Sequence, residues 1–516
     1  MIVEVLVFLV TTLLAYFLYL YKWVHHYFDK RGVKYLPGVP VFGNMLSSQL
    51  QKCHMVDDFD KVYRAFPNER YVGYIEGTTP IIMIRDPELT KAITVKDFDH
   101  FVNHKEFISE EIEPLFGGSL VMMKGERWHD MRTTLSPAFT GSKMRKMLPF
   151  MTEISSNIVR HLKGICYNCV ISQASDGTTC ARRLLLMYER EGASCSTKIS
   201  QCGGLIVADL VDVAFHVHEF SLSFRLQKLG VKIFPAKTTD FFRDLVFNTM
   251  EQREKNNIER PDMIQLLMEA SKGTLKAEND VSDNYSPTDD FFKPKTVQRQ
   301  WTQTELAGQV FVFFLAGFES AATALVMCVH ELALNPDVQE KLYQEVRKFK
   351  DERGELTYDN ISMLKYLDCV LNETQRKWAA AMLMDRVCTK AYELPPPREG
   401  GKPVQLKPGD MVYNLVNNIQ MDPQYHPDPT RFNPERFSDE NKHKIKPFTF
   451  MPFGMGPRNC IGSRFALMEL KVLIFDLVLN FKIVKCAKTT NPITLAPVPF
   501  NIQPLNGSWV RLESRA

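Results

Sequence analysis

A glycine-rich run around a single cysteine constrains this chain more than any other stretch. Residues 453–462 read FGMGPRNCIG, and an apolar helical pattern follows from about Ser463. Cys460 is therefore expected just ahead of a helix N-terminus, where unpaired backbone N–H groups and the helix dipole favour negative charge. Both effects predict a lowered pKa and a thiolate at Cys460.

The small residues of this run indicate what can lie against it. Gly454, Gly456 and Gly462 can adopt positive φ and remove side-chain bulk, so a flat cofactor can approach the loop. Arg458 is placed to reach an anionic group on such a cofactor. A buried structural cysteine in a glycine-rich loop is the alternative that these residues alone leave open.

The run resembles the cysteine-ligand loop of the cytochrome P-450 family, the haem-thiolate monooxygenases. The family pattern F-x-x-G-x-R-x-C-x-G is matched at Phe453, Gly456, Arg458, Cys460 and Gly462. The resemblance implies that these residues bind haem b, an iron protoporphyrin, with the thiolate of Cys460 as the axial metal ligand. It also implies the cytochrome P-450 fold, mainly α with small β-sheets (α+β).

An apolar segment near the N-terminus predicts a membrane anchor. Residues 5–20, VLVFLVTTLLAYFLYL, contain no charge or proline, and with the residues before them they approach the ~20 needed to span a bilayer. Lys22, Lys30 and Arg31 follow, so the positive-inside rule places the rest of the chain in the cytoplasm. A cleaved signal peptide fits less well, because no small-residue cleavage site follows the segment.

These features predict the domain organisation. Residues 1–21 form a transmembrane signal-anchor, residues 22–45 a basic and proline-rich hinge, and residues 46–516 one haem-binding catalytic domain. No Gly/Ser- or Pro-rich linker divides the chain after residue 45, and 45% hydrophobic residues suffice for one large core.

A net charge of +3 gives no argument for a nucleic-acid partner. The sequence resembles microsomal members of the family, and among them the insect detoxifying enzymes most. This resemblance implies that the protein resides in the endoplasmic reticulum membrane.

One segment departs from the family. Residues 161–205 hold five of the eleven cysteines and show no sustained helical or strand period. A zinc site on Cys166-x-x-Cys169 is one interpretation, but no second C-x-x-C or H-x-H pairing follows it. A divergent loop, or a stretch that is not native coding sequence, is favoured. The odd number of cysteines in a cytoplasmic body argues against a disulfide framework.

A long buried helix is predicted over residues 303–334. Thr302 and Glu305 form a capping box at its start, and Pro336 forces it to stop. Its middle, residues 310–316, is apolar almost all round, which predicts burial.

Three residues interrupt this apolar helix. Gly317 removes bulk beside a ligand, while Glu319 and Ser320 are the candidate catalytic residues because they can relay protons. They resemble the family pattern A/G-G-x-D/E-T on the distal side of the haem, but Ser320 stands where threonine is usual. Serine lacks the methyl group that restricts the rotamer, which predicts looser proton delivery and more release of peroxide. A helix kink with a solvated glutamate is the alternative.

Further residues are candidates for binding the haem propionates. Trp128 and Arg132 lie four residues apart, so a helix places them on one face. The residues that follow, up to Phe139, resemble the family's helix C, which implies that both side chains donate to a propionate. Arg386 resembles another propionate-binding arginine. An ordinary aromatic–arginine packing pair is the alternative for Trp128 and Arg132.

A structural network is predicted from three charged residues. Glu373 and Arg376 lie three apart on one helical face, and Arg436 belongs to a P-E-R-F turn. Together they resemble the family's Glu-Arg-Arg network, which implies that they brace the cysteine loop. Buried charges of this kind must be mutually paired.

Turn residues predict two hairpins and one helix start. Residues 71–84 alternate around a Gly-Thr-Thr-Pro turn, and residues 407–410, KPGD, are interpreted as a second hairpin turn. Asp86 and Pro87 are expected at the N-cap and N1 positions of a helix.

The resemblance implies an oxidoreductase that inserts one oxygen atom from O₂ into lipophilic small molecules, which are xenobiotics or endogenous lipids and hormones. The resemblance further implies that electrons come from NADPH through a flavoprotein, NADPH-cytochrome reductase, with cytochrome b5 as an optional second donor. A basic dock for the reductase, or ordinary solubilising charge, is formed by Lys124, Arg127, Lys143, Arg145 and Lys146. Two alternatives stay open: a reductase-independent haem-thiolate isomerase or dehydratase, and a non-functional variant because of residues 161–205.

Overall fold

Helices dominate the computed structural model, which describes residues 2–165, 170–171, 232, 234, 236–260, 262–271, 301–497 and 502–515. The predicted mainly α fold with small β-sheets is confirmed. The α-helices are α1 (Ile2–Arg31), α2 (Leu46–Gln49), α3 (Met55–Ala65), α4 (Pro87–Lys91), α5 (Pro114–Gly117), α6 (Gly125–Leu135), α7 (Gly141–Ile165), α8 (Ala236–Asn256), α9 (Met263–Ser271), α10 (Gln303–Leu334), α11 (Pro336–Arg353), α12 (Lys365–Lys377), α13 (Val416–Gln420) and α14 (Ser463–Asn480). The cysteines of the predicted zinc alternative, Cys166 and Cys169, lie outside the described residues.

The strands form three small sheets. They are β1 (Tyr71–Glu76), β2 (Thr79–Ile84), β3 (Val170–Ile171), β4 (Met384–Val387), β5 (Tyr392–Leu394), β6 (Val404–Leu406), β7 (Met411–Asn414), β8 (Phe481–Lys485) and β9 (Val510–Ser514). Their orders are β1-β2-β7-β4, β3-β9-β8 and β5-β6. The first predicted hairpin is confirmed, because β1 and β2 pair antiparallel with Glu76 opposite Thr79. Asp86 is the predicted N-cap, and its side chain accepts from the N–H of Glu88 at 2.9 Å.

The second predicted hairpin is wrong. Residues 407–410 do form a turn, with Gly409 at φ +97°, but β6 pairs with β5 whereas β7 pairs with β2 and β4. The turn therefore passes the chain from one sheet to another. A Pro-Gly turn predicts only the local reversal and not the partner of the strand that follows.

Helix α10 runs through the centre of the body with the predicted bounds. Thr302 accepts from the N–H of Glu305 at 3.2 Å, and the carboxylate of Glu305 accepts from the N–H of Thr302 at 2.8 Å. Gly308 lets α5 approach closely, since a Cβ there would lie 2.6 Å from the carbonyl oxygen of Leu115. The C-terminal half of α10 is fully buried, from Ala321 to Ala333, in a core that it shares with α7, α12 and α14.

Helix α1 extends beyond the predicted anchor and into the body. Val24, Tyr27 and Phe28 are buried against β1 and β2, so the helix spans residue 21, where the hinge was expected to start. Within the described residues, α1 and α10 are long and apolar enough to cross a membrane. Over half of the apolar window of α10 is buried, as in a core helix, whereas that of α1 is exposed.

Candidate functional site

The cysteine loop is a compact turn held by its own backbone. The N–H of Cys460 donates to the carbonyl of Phe453 at 2.8 Å, and the N–H of Asn459 donates to that of Gly456 at 2.9 Å. Gly454 and Gly456 have the predicted positive φ, +72° and +74°. The sequence alone indicated this conformation because L side chains rarely adopt it.

The glycines of the loop have different neighbours from those expected. A Cβ on Gly456 would overlap the carbonyl oxygen of Thr94, so this glycine admits another backbone segment. Gly462 does not have positive φ; it is the N-cap of α14 at φ −92°. A Cβ on Gly462 would lie 3.8 Å from the ring of Phe139. The close approach at Gly456 therefore involves protein, whereas the contact at Gly462 is an ordinary van der Waals contact.

The thiol of Cys460 has one accessible side, and the protein encloses the rest of it. Burial raises its pKa, while the N–H of Gly462 and the charge of Arg132 lower it by less. The predicted lowering of the pKa is therefore wrong for the protein without a cofactor. Removing the thiolate from water outweighs one hydrogen bond at the start of a helix.

An accessible strip interrupts the buried surface of α10. Ala316, Gly317 and Ser320 are exposed, whereas Phe318 between them and the residues from Ala321 to Ala333 are buried. A Cβ on Gly317 would meet no atom within 4 Å. The prediction that residues 310–316 are buried is thus correct only for Phe311 and Val312, because Val310 and residues 313–315 are half-buried and Ala316 is exposed. Hydrophobic pattern alone does not distinguish a packed face from one that lines a cavity.

The hydroxyl of Ser320 donates to the carbonyl of Ala316 at 2.7 Å, one turn back on its own helix. Glu319 is half-buried. Neighbouring helical residues point about 100° apart, so Glu319 and Ser320 do not share one face. Both candidate proton carriers are present, and Ser320 is the one on the accessible strip.

Aromatic contacts connect the cysteine loop to this strip. Ile461 packs in the same apolar cluster as Val310 and Phe313 of α10. Phe139, which lies beside Gly462, packs its ring 5.7 Å from that of Phe313. Phe313 precedes Ala316 by one helical turn. The cysteine loop therefore lies close to the turn of α10 that precedes the accessible strip.

Three guanidiniums lie beside the loop; Arg132 and Arg386 are buried and Arg458 is half-buried. Burial and the neighbouring charges of Arg386 and Arg132 hold the pKa of Arg458 well below its usual value, against the effect of Asp385. Burial likewise lowers the pKa of Arg386 to about 10. Asp385 is itself shared, since it also accepts from the ring of His104 at 2.9 Å. The cluster has an excess of buried positive charge, which favours binding of carboxylates.

The predicted propionate residues also contact protein. Arg458 donates to the carbonyls of Val102 at 2.9 Å and Met123 at 2.7 Å, and its guanidinium lies 4.0 Å from the ring centroid of Trp128. By contrast, the Nε of Arg386 is buried and has no hydrogen-bond partner among the described residues. Arg386 thus has a buried donor that is available for a ligand.

Comparison with known proteins decides the family. Residues 33–172 and 207–509 match the family described as Cytochrome P450. The chain belongs to the cytochrome P450 family. It is 39% identical to "Cytochrome P450 9e2" of Blattella germanica, covering 96% of this chain and 95% of that protein. It is 36% identical to "Probable cytochrome P450 9f2" of Drosophila melanogaster (96% and 97% covered) and 32% identical to "Cytochrome P450 6k1" of Blattella germanica (96% and 94% covered).

This cytochrome P450 is a monooxygenase of a family whose haem is bound by a cysteine thiolate. The site fits such a cofactor: it has an accessible cysteine sulfur, an accessible helix strip and an excess of buried positive charge. Family membership and the apolar α1 together indicate a membrane-anchored enzyme. The unmatched residues 173–206 fall almost entirely within the segment predicted to be atypical.

The predicted Glu-Arg-Arg network of the P450 is present, and all three side chains are paired. Arg376 donates to both carboxylate oxygens of Glu373, at 2.7 and 2.9 Å, and Arg436 approaches Glu373 at 3.4 Å. Glu373 and Arg376 are completely buried. The backbone N–H of Asn433 completes the site by donating to Glu373 at 2.9 Å.

Gln420 connects this network to the cysteine loop, which the sequence did not reveal. Arg376 donates to the carbonyl of Gln420 at 2.9 Å, and the side chain of Gln420 accepts from the N–H of Met451 at 2.8 Å. The carbonyl of Met451 in turn accepts from Gly454 in the loop at 3.0 Å. A lone glutamine in a short helix has no sequence signal that predicts this role.

Four of the five residues of the predicted reductase dock are engaged in ion pairs. The pairs are Lys124 with Glu106, Arg127 with Glu110 and Glu305, Lys143 with Glu269, and Arg145 with Asp359. These contacts favour the alternative of ordinary paired surface charge for these four residues.

Proposed function

We propose that the thiolate of Cys460 is the axial ligand of the haem iron in this P450. The observation that carries this proposal is the exposure of Cys460, next to Ile461, which packs in the same apolar cluster as Val310 and Phe313 of α10. Phe453, Gly456 and Gly462 hold the loop around it. When bound, the haem supplies the activation of O₂ and the transfer of one oxygen atom to the substrate.

The arginine cluster binds the carboxylates of the cofactor. Arg386 offers its unpartnered Nε, while Arg132 and Arg458 add positive charge beside it. Trp128 packs under Arg458 and limits its movement. Because Arg386 and Arg458 share the charge of Asp385 and Arg132 adds a third positive charge, two added carboxylates relieve the repulsion among the three guanidiniums.

Ser320 and Glu319 carry protons to the space above the cysteine loop. The hydroxyl of Ser320 holds its proton on the carbonyl of Ala316 and releases that bond when it donates into the open space. Glu319, on the neighbouring helical face, supplies the next proton. The rotation of Ser320 is freer than that of a threonine, because serine has no γ-methyl group.

The substrate is a lipophilic small molecule, a xenobiotic or an endogenous lipid or hormone. Supporting this, a cluster of phenylalanine rings packs beside the middle of α10: the ring centroids of Phe311 and Phe242 lie 5.1 Å apart, and that of Phe314 lies 5.4 Å from that of Phe242. Such rings favour apolar ligands. Electrons come from NADPH through a reductase, with cytochrome b5 as a second donor, and the enzyme resides in the endoplasmic reticulum membrane with its body in the cytoplasm.

The reduced, CO-bound absorption spectrum tests the ligand. The wild-type protein is expected to give the strongly red-shifted Soret band of a thiolate ligand, and Cys460→Ala is expected to lose it. Cys486→Ala, at a half-buried cysteine, is the matched control and should keep the band. Unchanged turnover in Cys460→Ala would refute the assignment. Turnover of a lipid hydroperoxide without reductase would instead indicate an isomerase or dehydratase.

A further inference from the structure

A buried glutamine side chain holds the segment that leads into the cysteine loop. Gln420 ends α13 and is completely buried. Its side-chain oxygen accepts from the N–H of Met451 at 2.8 Å, and its side-chain nitrogen donates to the carbonyls of Gln375 at 3.0 Å and Arg376 at 2.9 Å. The last carbonyls of a helix have no N–H partner within it. The carboxamide therefore ties the end of α12 to the residues just before the loop.

Two backbone hydrogen bonds continue this connection to the proposed ligand. The carbonyl of Met451 accepts from the N–H of Gly454 at 3.0 Å, and the carbonyl of Phe453 accepts from the N–H of Cys460 at 2.8 Å. The carbonyl of Phe453 and the N–H of Gly454 belong to one peptide group, which is planar and rigid. This peptide group is therefore held by Met451 on one side and orients the backbone of Cys460 on the other.

The direction of a cysteine side chain follows from the backbone that carries it. Groups outside the ligand shell of a metal orient the ligands, and the hydrogen bonds around an axial ligand change the reduction potential of a haem. The hydrogen-bond partners of Gln420 do not include Cys460. An effect of Gln420 on the ligand consequently passes through the backbone of the loop.

We propose that Gln420 is a positioning residue for the cysteine ligand of this P450. Its side-chain oxygen fixes Met451, and Met451 fixes the peptide group that orients Cys460. The inference rests on the proposed function, in which Cys460 binds the haem iron. Without the side-chain oxygen, this peptide group is free to rotate and the sulfur no longer keeps one position. A thiolate stabilises the oxidised iron by its negative charge, so a displaced sulfur raises the reduction potential.

A second buried glutamine has the same hydrogen-bond pattern in another part of the fold. Gln339 of α11 is 2% exposed. Its side-chain nitrogen donates to the carbonyls of Leu332 at 2.9 Å and Ile483 at 2.8 Å, and its side-chain oxygen accepts from the N–H of Ile483 at 2.8 Å. These partners belong to α10 and β8 and not to the cysteine loop. Gln339 is therefore the matched control, because its replacement removes the same three kinds of hydrogen bond from a buried site.

The variants Gln420→Met and Gln339→Met are compared in the haem-loaded protein. Methionine is unbranched and similar to glutamine in length, but it lacks the hydrogen-bonding groups of the amide. Both variants should lose a similar share of the free energy of unfolding. In the reduced, CO-bound spectrum, Gln420→Met should show a severalfold larger fraction of the haemoglobin-like band than the wild type, and its reduction potential should be higher. Gln339→Met should match the wild type in both measurements. Equal spectra and potentials in the two variants would show that Gln420 only stabilises the fold, which would overturn the proposal.

A conservative substitution tests the route through Met451. Gln420→Glu keeps an oxygen that accepts from the N–H of Met451 but loses the amide donors, so its haemoglobin-like fraction should lie between those of the wild type and Gln420→Met. A fraction as large as that of Gln420→Met would exclude this route and overturn the proposal. If Gln420→Met does not fold, Gln420→Glu is compared with Gln339→Glu. A larger haemoglobin-like fraction in Gln420→Glu then supports the role, and equal fractions overturn it.

The wild-type spectrum separates this inference from the proposed function. A wild-type protein without the thiolate-type Soret band would overturn the assignment of Cys460 as the ligand. A wild-type protein that has this band, with the same spectrum and potential in Gln420→Met and Gln339→Met, would overturn the role of Gln420 alone.

Discussion

Arg132 donates to Asn459 twice, from Nη1 to the carbonyl oxygen at 2.8 Å and from Nη2 to the side-chain oxygen at 2.9 Å. One side chain of α6 thus fixes the residue that immediately precedes the proposed haem ligand. The guanidinium that braces the loop is the same group that is predicted to donate to a haem propionate.

Arg132→Lys should therefore weaken the cysteine loop even though it keeps the charge, because an ammonium cannot reproduce the two parallel bonds. We expect a smaller fraction of thiolate-type Soret band and a larger fraction of the haemoglobin-like band in the reduced, CO-bound spectrum. Arg145→Lys is the control, since its pair with Asp359 is exposed. Equal spectra for the two variants would contradict the brace.

Gly456→Ala should destabilise the protein by more than backbone strain alone. An L residue at positive φ costs about 1–2 kcal/mol, and here the added Cβ also overlaps the carbonyl of Thr94. Gly400 has nearly the same φ, +71°, with no atom within 4 Å of an added Cβ. Gly400→Ala is therefore the control for a positive-φ substitution without the overlap. Denaturant unfolding of both variants should show the larger loss for Gly456→Ala.

Glu373→Gln should be strongly destabilising, because it leaves the buried Arg376 without its carboxylate. Breaking a buried pair on one side costs about 3–5 kcal/mol. The exposed pair of Arg347 and Asp351, 3.0 Å apart, offers the comparison. Asp351→Asn is expected to change the free energy of unfolding by less than about 1 kcal/mol. A similar loss of unfolding free energy in the two variants would show that burial does not determine how much the Glu373–Arg376 pair contributes to stability.

Glu469 makes stability depend on pH. It is buried in α14, and burial raises its pKa from 4.5 to about 8. The folded protein thus keeps a proton that the unfolded chain releases, so this contribution to stability is complete below the lower value and is lost as pH rises through about 8.

Glu469→Gln should remove this dependence. The free energy of unfolding of the wild type, relative to the variant, is expected to fall between about pH 5 and about pH 8. Denaturant titrations at several pH values check this. A relative stability that rises with pH would contradict a protonated Glu469.

The features that were predicted correctly from the sequence are those set by residues close together in the chain. The capping box at Thr302, the stop before Pro336 and the hairpin of β1 and β2 depend on residues close together in the chain, and the structure has them as expected. The turn at residues 407–410 was assigned the wrong strand partner, since pairing depends on distant β2 and β5.

The candidate site was predicted less completely, for a physical reason. Motif spacing led to Cys460 and Glu373, but not to His104 or Gln420, whose partners lie far away in sequence. The pKa of Cys460 was predicted from the helix end alone, and the larger effect of burial depends on the whole fold.

The ring of Phe28 occupies the place where a side chain on Gly73 would project, 2.6 Å from its Cβ position, and Arg31 pairs with Asp410 at 3.8 Å. These two contacts fix the C-terminal end of the first helix against the sheet. A shortened protein that starts at residue 22 keeps Phe28 and Arg31. One that starts at residue 34 loses both, which leaves a gap beside Gly73 and exposes the sheet.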